Sequence, residues 1–98
     1  MKILWTPTAR KTFFSIIDYL AENWSEKEIL SFTGKVDRVL TRIQKNPELF
    51  IASKGDSSIR RGLVVKQITL IYRIVTEKSE IHLLTFWDNR QNLEKLLY

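Results

Sequence analysis

The chain has 98 residues and no cysteine, so neither a disulfide framework nor a thiolate metal site is open to it. Glycine and proline are scarce, at three and two residues, which argues against a linker-rich or low-complexity polypeptide. No internal repeat is present. No segment approaches the roughly 20 apolar residues that a membrane span needs, and the opening run Ile3-Leu4-Trp5 is far too short for the apolar core of a signal peptide. A cytoplasmic protein with no membrane partner is the expectation.

What the chain does contain is enough apolar material for one interior. Hydrophobic residues make up 44%, including three Trp, five Phe and three Tyr, and the length suits a single domain over residues 1–98 with no room for a second core. Sixteen Lys and Arg stand against eleven Asp and Glu, a net charge of +5. An excess of that size in so small a domain suggests an anionic partner, for which nucleic acid and an acidic protein both qualify.

Hydrophobic spacing orders the chain. Residues 2–5 read as a short strand. Thr6 can cap a helix that Pro7 opens, since proline's missing N–H has no partner at that position anyway. Ala9, Phe13, Ile16, Ile17 and Leu20 then form one helical face. Ser25 and Glu28 have the spacing of a capping box, with Trp24 and Ile29 placed for a hydrophobic staple. A second stripe runs through Ile29, Phe32, Val36, Val39, Leu40 and Ile43 until Asn46-Pro47 ends it, and so short a connection predicts an antiparallel helical hairpin. From residue 59 the period changes to alternation: strands over 59–65, 68–75 and 80–87, with turns at Lys66-Gln67 and Thr76-Glu77-Lys78-Ser79. Leu93, Leu96 and Leu97 suggest a short closing helix. The expected fold is α+β, in the order β-α-α-β-β-β, with the hairpin on one face of a mainly antiparallel sheet. Leu83 and Leu84, apolar at both parities, suggest that the second face is covered as well.

These elements, with Trp5-Thr6-Pro7-Thr8-Ala9, Asn46-Pro47, Ile59-Arg60-Arg61-Gly62, Ile71-Tyr72-Arg73-Ile74 and Phe86-Trp87-Asp88-Asn89-Arg90-Gln91-Asn92 in this order, resemble the RelE/ParE superfamily of toxins across essentially the whole chain, the last motif looking like the close of a ParE-like branch. The resemblance implies the toxin of a type II toxin–antitoxin pair, held in a hetero-oligomer by an acidic, disordered antitoxin segment that folds on binding. RelE-like members cleave mRNA on the ribosome, whereas ParE-like members poison DNA gyrase. Neither reading calls for a metal or an organic cofactor.

The residue chemistry bears on that choice. A metal-free ribonuclease must activate a 2′-OH, protonate the leaving oxygen and offset phosphate charge. The resemblance offers Arg60, Arg61, Arg90 and Tyr98 for these tasks. RelE-like enzymes, however, carry an Arg three residues before the strand tyrosine, and here that position is Thr69. A ParE-like protein acting by binding is therefore the first expectation, and an inactive interaction domain a further one. His82, the only histidine, has no second histidine to work with and no Glu at an evident relay spacing; on a strand it shares a side with Leu84 and Phe86, so a structural or half-exposed histidine is the expectation. Lys35, Arg38, Arg42 and Lys45 align on the polar face of the second helix, as a solvated face or a docking face. Lys54, Arg60, Arg61, Lys66 and Arg73 form a second basic group near one end of the sheet. Tyr72 is expected to pack in the sheet. Trp87 either packs on the helices or leaves the sheet beside Arg90, the residue least explicable as core.

Overall fold

A computed structural model describes residues 1–91. Strand β1 (Lys2–Trp5) leads into α1 (Pro7–Asn23) and α2 (Glu26–Lys45), followed by β2 (Ile51–Ser53), β3 (Asp56–Val65), β4 (Ile68–Val75) and β5 (Glu80–Asp88). The sheet order is β1-β5-β4-β3-β2. Only β1 runs parallel to its neighbour, β5; the other pairings are antiparallel. The closing helix expected around Leu93, Leu96 and Leu97, and the candidate Tyr98, lie outside the described residues.

Thr6 links α1 to the sheet. Its Oγ1 accepts from the Ala9 N–H at 3.1 Å and donates to the Leu83 carbonyl at 2.6 Å, so one hydroxyl both caps the helix and anchors it on β5. At α2 the capping box takes a different form. Ser25 makes no side-chain cap; its hydroxyl donates to the Glu28 carboxylate, while the Glu28 N–H bonds the Ser25 carbonyl. Trp24 is 56% exposed rather than folded under as a staple.

Two features depart from the expected order. β3 begins at Asp56, three residues before the alternation becomes legible. β2 is an added strand of three residues, too short for any period to show. It exists because Gly55, at φ +86°, turns the chain tightly back onto β3, a conformation glycine adopts without penalty. The Asp56 carboxylate then accepts from the backbone and hydroxyl of Ser58.

The core lies between the hairpin and one sheet face. Phe32, Val36, Val39 and Ile43 of α2 meet Ile68, Leu70 and Tyr72 of β4 and Ile81, Leu83 and Phe86 of β5. An aromatic cluster ties four elements together: Trp5 stacks on Phe86 at 5.5 Å and meets Phe13 edge-on at 5.2 Å, and Phe13 stacks on Phe32 at 6.0 Å. A bulge makes this cluster possible. Leu83 pairs with Tyr72 but Thr85 with Ile71, leaving Leu84 as an extra residue. The bulge moves Phe86 onto the helix side, opposite His82, and the Phe86 N–H is met by Thr12 Oγ1 at 3.0 Å. The face away from the helices is partly closed: Ile59 and Ile71 are 5% and 0% exposed there, whereas Leu63 is 58% exposed.

Two glycines test this packing in opposite directions. A Cβ at Gly62 would lie 2.7 Å from the Phe50 ring, whereas one at Gly34, inside α2, would meet nothing within 4 Å. Gly62→Ala is expected to lower the unfolding free energy by about 1–3 kcal/mol. Gly34→Ala should raise it by about 0.5–1 kcal/mol through helix propensity. Urea unfolding of the two variants against the parent checks both signs.

Candidate functional site

The structure distributes the sequence candidates over three places. The first is the connection between α2 and β2. Arg60, on the helix side of β3 opposite Tyr72, points its guanidinium at the chain: Nε donates to the Ser57 carbonyl at 3.2 Å, and Nη1 to those of Phe50 at 3.1 Å and Glu48 at 3.4 Å. The Tyr72 hydroxyl donates to the Pro47 carbonyl at 2.7 Å. Phe50 packs its ring against Gly62, with the Arg42 guanidinium 5.7 Å from the ring centre. Arg60, Gly62, Tyr72 and Pro47, four residues of the motifs that carry the family resemblance, thus build one structural latch. Burial is the main force on the Tyr72 phenol and pushes its pKa up to about 12, against the opposing pull of the Arg60 charge and a backbone hydrogen bond from Phe50.

The second place is the sheet face away from the helices. The pairings put Ile59, Arg73, His82 and Leu4 in one row across four strands, with Arg61 and Ile71 paired in the next and Leu63, Thr69 and Trp87 beyond. Arg73 approaches Asp56 at 3.9 Å. His82 Nε2 lies 3.0 Å from Glu80 Oε1. That carboxylate was not expected, yet residues two apart on a strand share a face, which is the spacing that signals it. Thr69 Oγ1 donates to Asn89 Oδ1 at 2.8 Å, and the Asn89 side-chain amide reaches the Lys66 carbonyl at 3.2 Å, so both polar groups serve to close the end of the sheet. By its pairing with Thr69, Trp87 alternates to the face opposite Phe86, and its buried indole N–H finds no acceptor among the described residues. The basic group of the sheet is not gathered at one end. Lys54 precedes and Lys66 follows the ten residues of β3, a strand about 30 Å long, and Arg60 and Arg61 face opposite ways.

The third place is a cleft of about 910 Å³ where the hairpin diverges from the β3–β4 turn and the end of β5. Ile16, Leu20, Phe32, Ile68 and Phe86 supply its apolar interior; Tyr19, Trp24, Glu28, Lys35, Lys66 and Arg90 stand exposed around it. Its volume falls in the range of ligand-binding clefts. Arg90 is held by Asp88 through Nε at 3.0 Å and Nη2 at 2.7 Å. The hydrogen bonds that Arg90 donates to the Asp88 carboxylate are the largest force raising the Arg90 pKa, the Asp88 charge the next, with a further hydrogen bond to Tyr19; the same bonds lower that of Asp88. Lys35 joins the cleft, while Arg38, Arg42 and Lys45 remain on the exposed side of α2. Tyr19 and Trp24 were not anticipated. Tyr19 lies on the polar flank of α1 shared by Thr8, Thr12 and Ser15, a flank that the apolar stripe alone does not single out.

Residues 3–93 match the sequence profile of the ParE toxin of the type II toxin–antitoxin system parDE. No curated protein matches the chain by sequence. Among solved structures, the chain is similar to that described as the chromosomal ParDE system from P. aeruginosa, at a TM-score of 0.69 and 15% identity over 90% of this chain and 95% of that one. It is also similar to the YoeB/ParE toxin from Agrobacterium tumefaciens, at a TM-score of 0.64 and 11% identity over 90% of this chain and 98% of that one. The YoeB dimer from Staphylococcus aureus follows at a TM-score of 0.57 and 17% identity, over 88% and 93%. At such identities these likenesses concern the fold.

The latch makes a pH-dependent prediction. A phenol whose folded pKa lies above its unfolded value of about 10 favours the folded state while it is neutral. Its contribution is whole below pH about 10 and is lost as pH rises towards about 12. In a spectrophotometric titration at high pH, one tyrosine should ionise only as pH approaches about 12, and Tyr72→Phe should remove that step. Ionisation of every tyrosine in a single step near pH 10 would contradict the burial account.

Proposed function

The chain belongs to the family of ParE toxins of type II toxin–antitoxin systems, and from that premise we propose that it acts by binding and inhibiting its target rather than by cutting RNA. It is the toxin component of such a pair, with a cognate antitoxin as partner. The observation that carries the binding reading is at Thr69. Its hydroxyl is committed to Asn89, and no guanidinium stands at that position to offset the charge of a phosphorane. Of the other candidate cations, Arg60 bonds backbone carbonyls, Arg73 approaches Asp56 and Arg90 is paired with Asp88. DNA gyrase is the target that the resemblance to ParE-like toxins favours, and the cytoplasm the compartment where it would be met.

The cleft suits the antitoxin. An amphipathic acidic segment would place its apolar side against Ile16, Leu20 and Phe32 and its carboxylates near Lys35, Lys66 and Arg90, forming a toxin–antitoxin hetero-oligomer. The sheet face that carries Arg61, Arg73 and Trp87 stays available for the target.

The purified protein should inhibit gyrase supercoiling and leave mRNA uncut on translating ribosomes. Codon-specific cuts would instead establish a RelE-type endoribonuclease, and no effect in either assay an interaction domain without toxicity. Lys35→Glu with Arg90→Glu should weaken antitoxin binding on the order of tenfold or more, with a steep dependence on salt. Because Lys35 and Arg90 are exposed, the melting temperature should change little.

A further inference from the structure

Of the cations aligned along α2, Lys35 borders the cleft and Arg42 covers Phe50, while Arg38 and Lys45 serve neither the cleft nor the latch. All four are exposed, and none forms an ion pair with another described residue. At 3.6 residues per turn they fall within about 80° of arc and span about 15 Å, on the flank of α2 nearest Phe50. Ser31, Gly34 and Thr41, on the same flank, are small and uncharged, so no aliphatic or aromatic side chain of the helix interrupts the stripe. The acids of α2 stand apart from it. Asp37 faces a depression with Arg10 and Phe14 on the α1 side, and Glu26 and Glu28 lie in the first turn, the latter engaged by Ser25. Cations in a last turn complement the helix dipole, which accounts for Arg42 and Lys45. Lys35 and Arg38 lie about two turns or more from the helix end, beyond that effect.

The make-up of the stripe states what kind of partner fits. The centre of a protein–protein interface is apolar and poor in Lys. A lipid surface holds a helix by its apolar face, and that of α2 is buried against the sheet. Single-stranded nucleic acid is held by exposed rings on which its bases stack; the nearby ring of Phe50 is covered by Arg42 and packed on Gly62. A duplex needs none of these. Its phosphates form a stiff, regular row, one per about 3.4 Å of axis on each strand, and the protein surfaces that bind it are polar and positively charged.

We propose that the α2 stripe binds double-stranded DNA through its phosphate backbone, with Lys35, Arg38, Arg42 and Lys45 set against phosphates and no base read. That the duplex is DNA rests on the reading that the target is gyrase, an enzyme acting on DNA; the binding itself is a property of the toxin alone. Only Lys35 is shared with the cleft, so most of the stripe is separate from the surface assigned to the antitoxin.

Fluorescence anisotropy with the purified protein and fluorescein-labelled DNA duplexes of about 20 base pairs, in two unrelated sequences, tests this without gyrase present. Both duplexes should bind equally, with log Kd rising by about three to four per decade of salt, as four phosphate contacts require. Arg38→Gln with Lys45→Gln should weaken binding at least about tenfold and lower that slope by about two. Arg38→Lys, which keeps the charge, should bind about as the parent does. Arg10→Gln with Lys11→Gln removes as much charge from exposed positions on α1 and should change affinity by less than about twofold. The melting temperature of each variant should stay near the parent's, since all of these residues are exposed. The proposal is overturned if neither duplex binds, if the two double variants weaken binding alike, or if an RNA duplex or a single DNA strand of the same sequence binds more tightly. Duplex binding by a protein that fails to inhibit supercoiling would uphold the proposal and remove the gyrase reading, so the two fail separately.

Discussion

The guanidinium of Arg60 holds the segment between α2 and β2 against the sheet through the Glu48, Phe50 and Ser57 carbonyls, and the outer half of the molecule takes its form from that contact. A helix that ends at Lys45 leaves its last carbonyls without intrahelical partners, and the chain must then turn back to pair with β3. A charged donor shared among backbone acceptors gives the irregular stretch a fixed conformation, each such bond contributing about 1.5–3 kcal/mol where it is sheltered. With the segment fixed, Phe50 can lie on Gly62, Arg42 on Phe50, and the Tyr72 hydroxyl on Pro47. β2 then follows as a short strand with a defined register, and its exposed edge is a consequence of the same contact.

A second constraint, the extra residue Leu84 in β5, decides which chemistry can assemble on which face. It turns Phe86 into the aromatic cluster and sends Trp87 to the opposite side. Arg73, His82 and Trp87 therefore share a face that Arg60 does not reach. Arg60 bonds backbone carbonyls on the helix side, whereas Arg73 on the opposite face approaches Asp56 and Arg90 is paired with Asp88. A surface of this kind is suited to recognition: apolar margins, paired cations, and a cleft whose rim carries both Lys35 and Arg90.

Much of this was legible in the sequence because burial follows periodicity. Ala9, Phe13, Phe32, Val36 and Ile43 stand where the helical stripe places them, and both hairpin turns of the meander fall where the alternation breaks. β2 was not legible, since three residues cannot display a period and its pairing depends on a turn at Gly55. The bulge was not legible either, because an extra residue in a strand leaves composition unchanged while reversing every later side chain. Arg60 is the instructive case. As sequence it is one of five cations in a basic group; only the third dimension shows that its neighbours are backbone carbonyls. The cleft escaped notice for a similar reason: Tyr19, Trp24, Lys66 and Arg90 come from three separate stretches that the topology alone brings together.

The central claim is that Arg60 and Tyr72 serve the scaffold and that recognition lies elsewhere. Amide hydrogen exchange on Arg60→Ala tests it most directly. The account predicts exchange in residues 46–53 faster by about tenfold to a hundredfold, the cost of losing about 1.5–3 kcal/mol of sheltered hydrogen bonding, with protection in α1 and the centre of β5 unchanged. Unaltered protection in residues 46–53, together with complete loss of toxicity, would place Arg60 in the functional site and contradict the account.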